Sequence, residues 1–301
     1  MKKKMVSMLL ACVMGLSLVA CGSGKEATNE STTDDAAVEE TAEDTAEEDA
    51  ATEEVEKTEV TVFAAASMTE TLTEIEALYE AENENIDLIF NFDSSGTLKT
   101  QIQEGAVCDL FISAGQKQMD QLDITADAEV NTEGLDYVLE ETRIDILENK
   151  VTLCVSDTSE AGIETFDDWA NALKEGTILM AMGNSDVPVG QYTQKILAYY
   201  ELSEEELAGV GVISYGSNVK EVTTQVSEGS VDCGVIYCTD AYSAGLTVQD
   251  YATAEMCGQV IYPAAVLKTS EHQDEAKAFL DYLQTDVCME IFENVGFSRM
   301  G

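Results

Sequence analysis

The chain has 301 residues, with 15 Lys plus Arg against 59 Asp plus Glu, a formal net charge of -44, eight Cys, one His and one Trp. This balance leaves no basic surface to neutralise phosphates, which excludes nucleic-acid binding and adhesion to anionic membranes through Lys or Arg clusters. A single His removes most His-based metal and triad chemistry.

Lys2, Lys3 and Lys4 form a positive start, and Met5 to Val19 is an apolar stretch too short and wrongly flanked to span a bilayer. It ends in Leu18-Val19-Ala20-Cys21, followed by Gly22-Ser23-Gly24. This run resembles the lipobox of bacterial lipoproteins, which implies a signal peptide over residues 1–20 and a lipid on Cys21. From Gly22 to Glu59, fifteen acids stand against two Lys with almost no large apolar side chain. Such a segment cannot bury enough surface to offset its ordering entropy, so residues 21–59 are expected to form a disordered, self-repelling tether. Its coil span is at least roughly 35 Å. Setting aside the fifteen acids and five bases before residue 60 leaves 44 acids and 10 bases, so residues 60–301 still carry about -34.

That remainder is long enough for two lobes. Val60 to Ala64 reads as a strand, followed by Met68, Leu72, Ile75, Leu78 and Tyr79 at helical spacing. Ile86 to Phe92 is a second strand, Leu98 and Ile102 sit on a short helix, and Cys108 to Ser113 is a third strand. Further strands are expected over Val151 to Val155, Thr177 to Met182, Val210 to Ser214, Val231 to Tyr237 and Val260 to Leu267. Helices are expected around 190–200, 219–228 and 273–293. Strand–helix alternation of this kind predicts mostly parallel sheets covered on both faces.

Small polar turns recur where a strand hands over to a helix. Ser67 with Glu70 and Asn218 with Glu221 have capping-box spacing, Ser94-Ser95-Gly96-Thr97 opens the helix after Phe92, and Pro188 suits a first helical turn. Each alone is a helix start. Together, on parallel strands, these N-termini converge at one edge, where open α/β sheets bind ligands. Each brings unpaired N–H groups and a positive dipole end, so the site they build attracts a small anion without Arg or Lys.

Six segments carry a specific likeness: Val62-Phe63-Ala64-Ala65-Ala66-Ser67, Phe92-Asp93-Ser94-Ser95-Gly96-Thr97-Leu98, Asp109-Leu110-Phe111-Ile112-Ser113-Ala114, Val187-Pro188-Val189-Gly190, Gly234-Val235-Ile236-Tyr237 and Tyr262-Pro263. In this order, residues 60–301 resemble the periplasmic molybdate-binding proteins of ABC importers, a family with a two-lobed type II periplasmic-binding-protein fold. The resemblance implies a non-enzymatic receptor for molybdate or tungstate, with oxyanion contacts at Ser67 and Ser95 through hydroxyl and N–H, at Val189 and Val219 through N–H, and at Tyr237 through its phenol. It implies no cofactor and no direct protein–metal ligand, with the molybdenum entering only as its oxyanion. A membrane permease and its cytoplasmic ATPase are the implied partners, and the protein is expected to be an extracytoplasmic monomer held to the cell membrane through Cys21.

The implied donor set suits a dianion that has lost every proton, whose four oxygens only accept hydrogen bonds. Hydrogen phosphate keeps a proton, and leaving a buried donor or acceptor unpaired costs about 1 to 3 kcal/mol. Sulfate, also protonless, would be separated by cavity size. Two residues depart from the family pattern: Val189 stands where a small Ala is common, and Asp93 places a carboxylate near Ser95, on the same face if strand geometry persists into the turn. Sulfate or phosphate therefore remain alternative cargoes. A different class, an exported penicillin-recognising serine enzyme, would use Ser217 and Lys220 as S-x-x-K with Lys268-Thr269-Ser270 as a loose K-T-G, but the intervening S-D-N element is missing.

The even count of Cys108, Cys154, Cys233, Cys238, Cys257 and Cys288 permits disulfides in an exported chain, in 15 possible connectivities, but with no metal-site spacing and most of them in or beside apolar strand runs they are expected as small buried core residues rather than bridges or ligands. His272, near a helix start among polar residues, is given no catalytic part. The expected domains are residues 60–145 with 265–301 as the first lobe and 146–264 as the second, joined by crossing segments near Lys150 to Val155 and Val260 to Leu267.

Overall fold

The computed structural model describes residues 57–300. The signal segment, Cys21 and nearly all of the acidic tether lie outside the described residues. The chain runs through β1 (Thr58–Ala65), a 3-10 turn (Ala66–Met68), α1 (Thr69–Glu82), β2 (Ile86–Asp93), α2 (Ser95–Gln103), β3 (Leu110–Ile112) and α3 (Gln116–Asp120). It continues through β4 (Ile144–Asn149), β5 (Val151–Val155), α4 (Phe166–Glu175), β6 (Met180–Gly183), α5 (Pro188–Tyr199), α6 (Glu204–Gly209), β7 (Ile213–Gly216), α7 (Val219–Ser227) and β8 (Cys233–Tyr237). The last elements are α8 (Cys238–Ser243), β9 (Val248–Tyr251), α9 (Ala254–Cys257), β10 (Val260–Val266), α10 (Gln273–Tyr282), α11 (Asp286–Val295) and β11 (Ser298–Arg299).

Two sheets form, in the orders β11-β4-β10-β3-β1-β2 and β7-β6-β8-β5-β9. Helices flank both, giving the expected two-lobed α/β architecture. The sheets are mixed rather than mostly parallel. β1 pairs with β2 and β3, and β6 with β7 and β8, in parallel, while β10 runs antiparallel to β3 and β4, and β5 antiparallel to β8 and β9. The cause is direct passage between sheets. β4 and β5 are separated by Lys150 alone yet belong to different sheets, so no helix intervenes to bring the chain back parallel.

The chain returns to the first sheet between Tyr251 and Val260. Val260–Val266 is a strand as expected, but it is an interior strand of the first sheet, buried on both faces except at Ile261, so the second crossing falls before it rather than within it. The expected strands at 177–182 and 210–214 begin three residues later, at Met180 and Ile213. The helix expected over 273–293 is two helices, because Thr285 turns back and its Oγ1 donates to Tyr282 O at 2.7 Å.

The core forms where the amphipathic faces meet the sheets. Leu72, Ile75 and Tyr79 of α1 are buried at helical spacing, and the Tyr79 ring packs edge-on at 4.9 Å against Phe279 of α10. The six cysteines are buried free thiols. Among the described residues no helix is long and apolar enough to cross a membrane.

Candidate functional site

Each parallel strand delivers its C-terminal end to one place. After β1 come Ala66 and Ser67, after β2 come Ser94 and Ser95, and after β3 comes Ala114; after β6 come Val187 to Val189, after β7 comes Val219, and β8 ends at Tyr237. All of these line one narrow hollow of about 10 Å³ between the two sheets, together with Ala65 and Asp93. Ser67, Ser95, Val189, Val219 and Tyr237 are each no more than 4% exposed there. The structure thus brings all five candidate residues together, and none of the lining residues is Lys or Arg. Wider depressions, among them one of about 480 Å³ beside Asp123 and Arg143, lie elsewhere and are lined mainly by other residues.

Three of the five stand at helix starts. Ser95 and Val219 are the first residues of α2 and α7, and Val189 is the second of α5. Their N–H groups have no partner inside their own helices and sit at the positive dipole end. Local sequence fixes these starts. Ser94 Oγ caps α2 by accepting from Thr97 N at 3.1 Å, Pro188 occupies the first position of α5, and Asn218 Oδ1 caps α7 by accepting from Glu221 N at 3.0 Å. The reciprocal half of the expected Asn218–Glu221 box is displaced, since Glu221 Oε2 accepts from Ser217 N at 2.7 Å.

Ser67 does not cap α1. It lies inside the 3-10 turn, Met68 takes the cap position without a side-chain bond, and Ser67 Oγ pairs with Tyr262 Oη at 2.8 Å. The extra turn moves the helix start past the serine, which leaves the hydroxyl at the hollow. Ser95 Oγ accepts from Ala114 N at 2.9 Å. Tyr237 Oη donates to Ala114 O at 3.4 Å, long for an O–H donor and hence weakly committed. Burial pushes the Tyr237 phenol well above its ordinary pKa, so it stays a donor.

Two approaches hold the sides close. A side chain on Gly96 would meet Asp186 O at 2.1 Å, so the turn of α2 and the loop before α5 can abut only because Gly96 has none. Asp93 Oδ1 accepts from Ser94 N at 2.7 Å within its own side and from Asn218 Nδ2 at 3.3 Å across the gap. Strand geometry ends at Asp93, so Asp93 and Ser95 do not share a strand face.

Lys220 follows Val219. Its Nζ bonds both oxygens of Glu70 at 2.7 Å and lies 3.3 Å from Asp240 Oδ1. Asp240 is 1% exposed and neither oxygen has a directed hydrogen bond, and burial, opposed by Lys220, pushes its carboxyl up to about 6. Two acids therefore offset the one lysine near the hollow. Lys220 is not presented to Ser217, which is exposed, so the S-x-x-K spacing does not assemble a nucleophile with its base.

Sequence reasoning missed Asn149 and gave no role to Ala114 and Tyr262, which it met only within the segments that carry the likeness.

Residues 60–298 match a family model described as bacterial extracellular solute-binding protein. A Bacillus subtilis protein described as a candidate ABC transporter substrate-binding lipoprotein, YvgL, is 32% identical over 245 residues, which cover 81% of this chain and 87% of the relative. The molybdate-binding protein ModA of Escherichia coli is 31% identical over 252 residues, 81% of this chain and 90% of the relative. Among solved structures, the periplasmic molybdate-binding protein of Azotobacter vinelandii superposes with a TM-score of 0.67 over 80% of this chain and 100% of its own, at 18% identity, a likeness of fold. Two sheets closing on one hollow, a family match across nearly all the described residues and relatives that align along most of their length leave one assignment: the chain belongs to the bacterial extracellular solute-binding protein family.

Proposed function

We propose that this protein is the receptor of an ABC importer and takes up molybdate or tungstate between its lobes, with Ser67, Ser95, Val189, Val219 and Tyr237 as the ligand's hydrogen-bond donors. The observation that carries the reading is the convergence of three strand ends from each sheet on a hollow lined by donors and free of Lys and Arg. A tetrahedral dianion without protons can use every such donor and leaves none unpaired. The names of the relatives support the cargo and the transporter.

In this reading the ligand is an oxyanion cargo rather than a cofactor, and no catalytic step is involved. The first lobe comprises the first sheet and its helices, the second lobe residues 151–251, and the two swing about Lys150 and the 252–259 segment. A membrane permease and its ATPase read the closed form. Lipid on Cys21 holds the protein, as a monomer, on the outer side of the cell membrane, with the acidic segment as tether.

A second reading, hydrogen phosphate as cargo, rests on Asp93, the carboxylate among the lining residues, which could accept the phosphate proton. Thermal melts with molybdate, tungstate, sulfate and phosphate separate the two. A ligand at one hundred times its Kd adds about 2.7 kcal/mol, and each kcal/mol moves Tm by roughly 2 to 4 °C in a domain of this size. Molybdate and tungstate are expected to raise Tm by about 5 to 11 °C at concentrations where phosphate does not. A rise with phosphate alone would transfer the function to the second reading.

A further inference from the structure

The hydrogen bonds behind Ser67 have a direction. Asn149 closes β4 and is buried; its Oδ1 accepts from Lys150 N at 2.8 Å and from the Cys238 thiol at 3.2 Å. Those two donors identify the oxygen end of the amide. Nδ2 therefore carries both its hydrogens to the opposite side, one to Thr239 Oγ1 and one to Tyr262 Oη, each at 3.0 Å. Tyr262 Oη thus receives one hydrogen and still has its own to give. Among the described residues its other partner is Ser67 Oγ, at 2.8 Å.

If Ser67 donated instead, the phenol hydrogen would be stranded in a place with no exposure to water. Burial also holds the Tyr262 phenol well above its ordinary pKa, so the hydrogen is there to be donated. The chain then reads Asn149 to Tyr262 to Ser67, each donating to the next. One lone pair of Ser67 Oγ is then taken by the Tyr262 hydroxyl, and its own hydrogen is left for the hollow that it lines. Ser95 reaches a similar state by a shorter route, since Ala114 N engages one lone pair of its Oγ at 2.9 Å.

We propose that Asn149 and Tyr262 are positioning residues that pin the Ser67 hydroxyl as a donor toward the hollow, and so set the preference for a tetrahedral oxyanion without protons over one that retains a proton. This rests on the reading of the hollow as an oxyanion site. An oxyanion that keeps a proton needs one acceptor from its host; a serine held with its hydrogen toward the hollow and one lone pair taken by Tyr262 meets it as a donor, which leaves Asp93 as the lining group able to take that proton. Without the phenol hydroxyl, Ser67 Oγ can turn and accept that proton.

The test is a calorimetric titration of the full chain with molybdate, repeated at rising inorganic phosphate, for the wild type, Tyr262→Phe and Asn149→Ala. Tyr262→Phe is expected to bind molybdate about two- to tenfold more weakly, the effect of losing one ordinary hydrogen bond. Phosphate should displace molybdate from it at concentrations at least about tenfold lower, relative to the molybdate affinity, than from the wild type. Asn149→Ala should shift the same ratio the same way by a smaller factor. In a Ser67→Ala background, Tyr262→Phe should no longer move the ratio. Equal weakening of both anions, with the ratio unchanged, would overturn the proposal and leave Tyr262 a packing residue; if Tyr262→Phe gives no cooperative melt, the ratio in Asn149→Ala decides. Failure of the wild type to bind molybdate would instead overturn the oxyanion reading itself, and this inference with it.

Discussion

The two sides of the hollow offer their donors by different means. On the first-sheet side Ser67 and Ser95 present side-chain hydroxyls whose acceptor sides are engaged by Tyr262 and Ala114. On the second-sheet side Val189 and Val219 present main-chain N–H groups at helix starts, beside the single phenol of Tyr237. The first side therefore depends on residue type at Ser67 and Ser95, whereas Val189 and Val219 act through where helices begin and tolerate a change of side chain.

The largest expected effect breaks the hydroxyl side. Hydrogen bonds to a charged partner contribute about 1.5 to 3 kcal/mol each, so Ser67→Ala with Ser95→Ala together should weaken molybdate binding by about 3 to 6 kcal/mol in a titration. Unchanged affinity would remove both from the site.

The next prediction concerns stability beside the second side. The Asp240 carboxyl is pushed from an ordinary 3.8 to about 6 by burial, against the pull of Lys220. Between those values the folded chain holds a proton that the unfolded chain releases, so this group's contribution to stability is present at low pH and lost as pH rises through about 6. Asp240→Asn should abolish a loss on the order of 2 to 3 kcal/mol over that window, seen as a flatter dependence of the denaturation midpoint on pH than in the wild type. Parallel curves for the two proteins would mean that Asp240 is not held in its neutral form.

On the second side itself, Val219→Pro removes an N–H while keeping a residue suited to the first helical position, and the extended Asn218 before it accommodates a following proline. It should weaken molybdate by about 1.5 to 3 kcal/mol. Val189→Ala keeps its N–H and should change affinity by no more than about 0.5 kcal/mol. If the alanine variant lost as much as the proline variant, the contrast between the two sides would fail.

Helix starts were legible where their chemistry is local. Ser94, Asn218 and Pro188 sit where their side chains or missing N–H make them useful, and the structure uses all three. Ser67 misled because its spacing from Glu70 mimics a cap, while in the fold it lies in a buried 3-10 turn and its hydroxyl pairs with Tyr262, 195 positions away. The crossing near Lys150 was legible, but parallel strands were overestimated because nothing in the run from Ile144 to Val155 shows that it is two strands of different sheets with no helix between them. Asn149, Tyr262 and Ser67 were invisible as a unit: Tyr262 stands 113 positions from Asn149 and 195 from Ser67, and only the folded first sheet makes them neighbours.

A calorimetric titration of the wild-type protein with molybdate, set against one with phosphate at the same pH, bears most directly on the donor-lined hollow. The expected result is saturation at one molybdate per chain, with no measurable heat from phosphate at matched concentrations. Equal binding of the two anions, or none of molybdate, would contradict it.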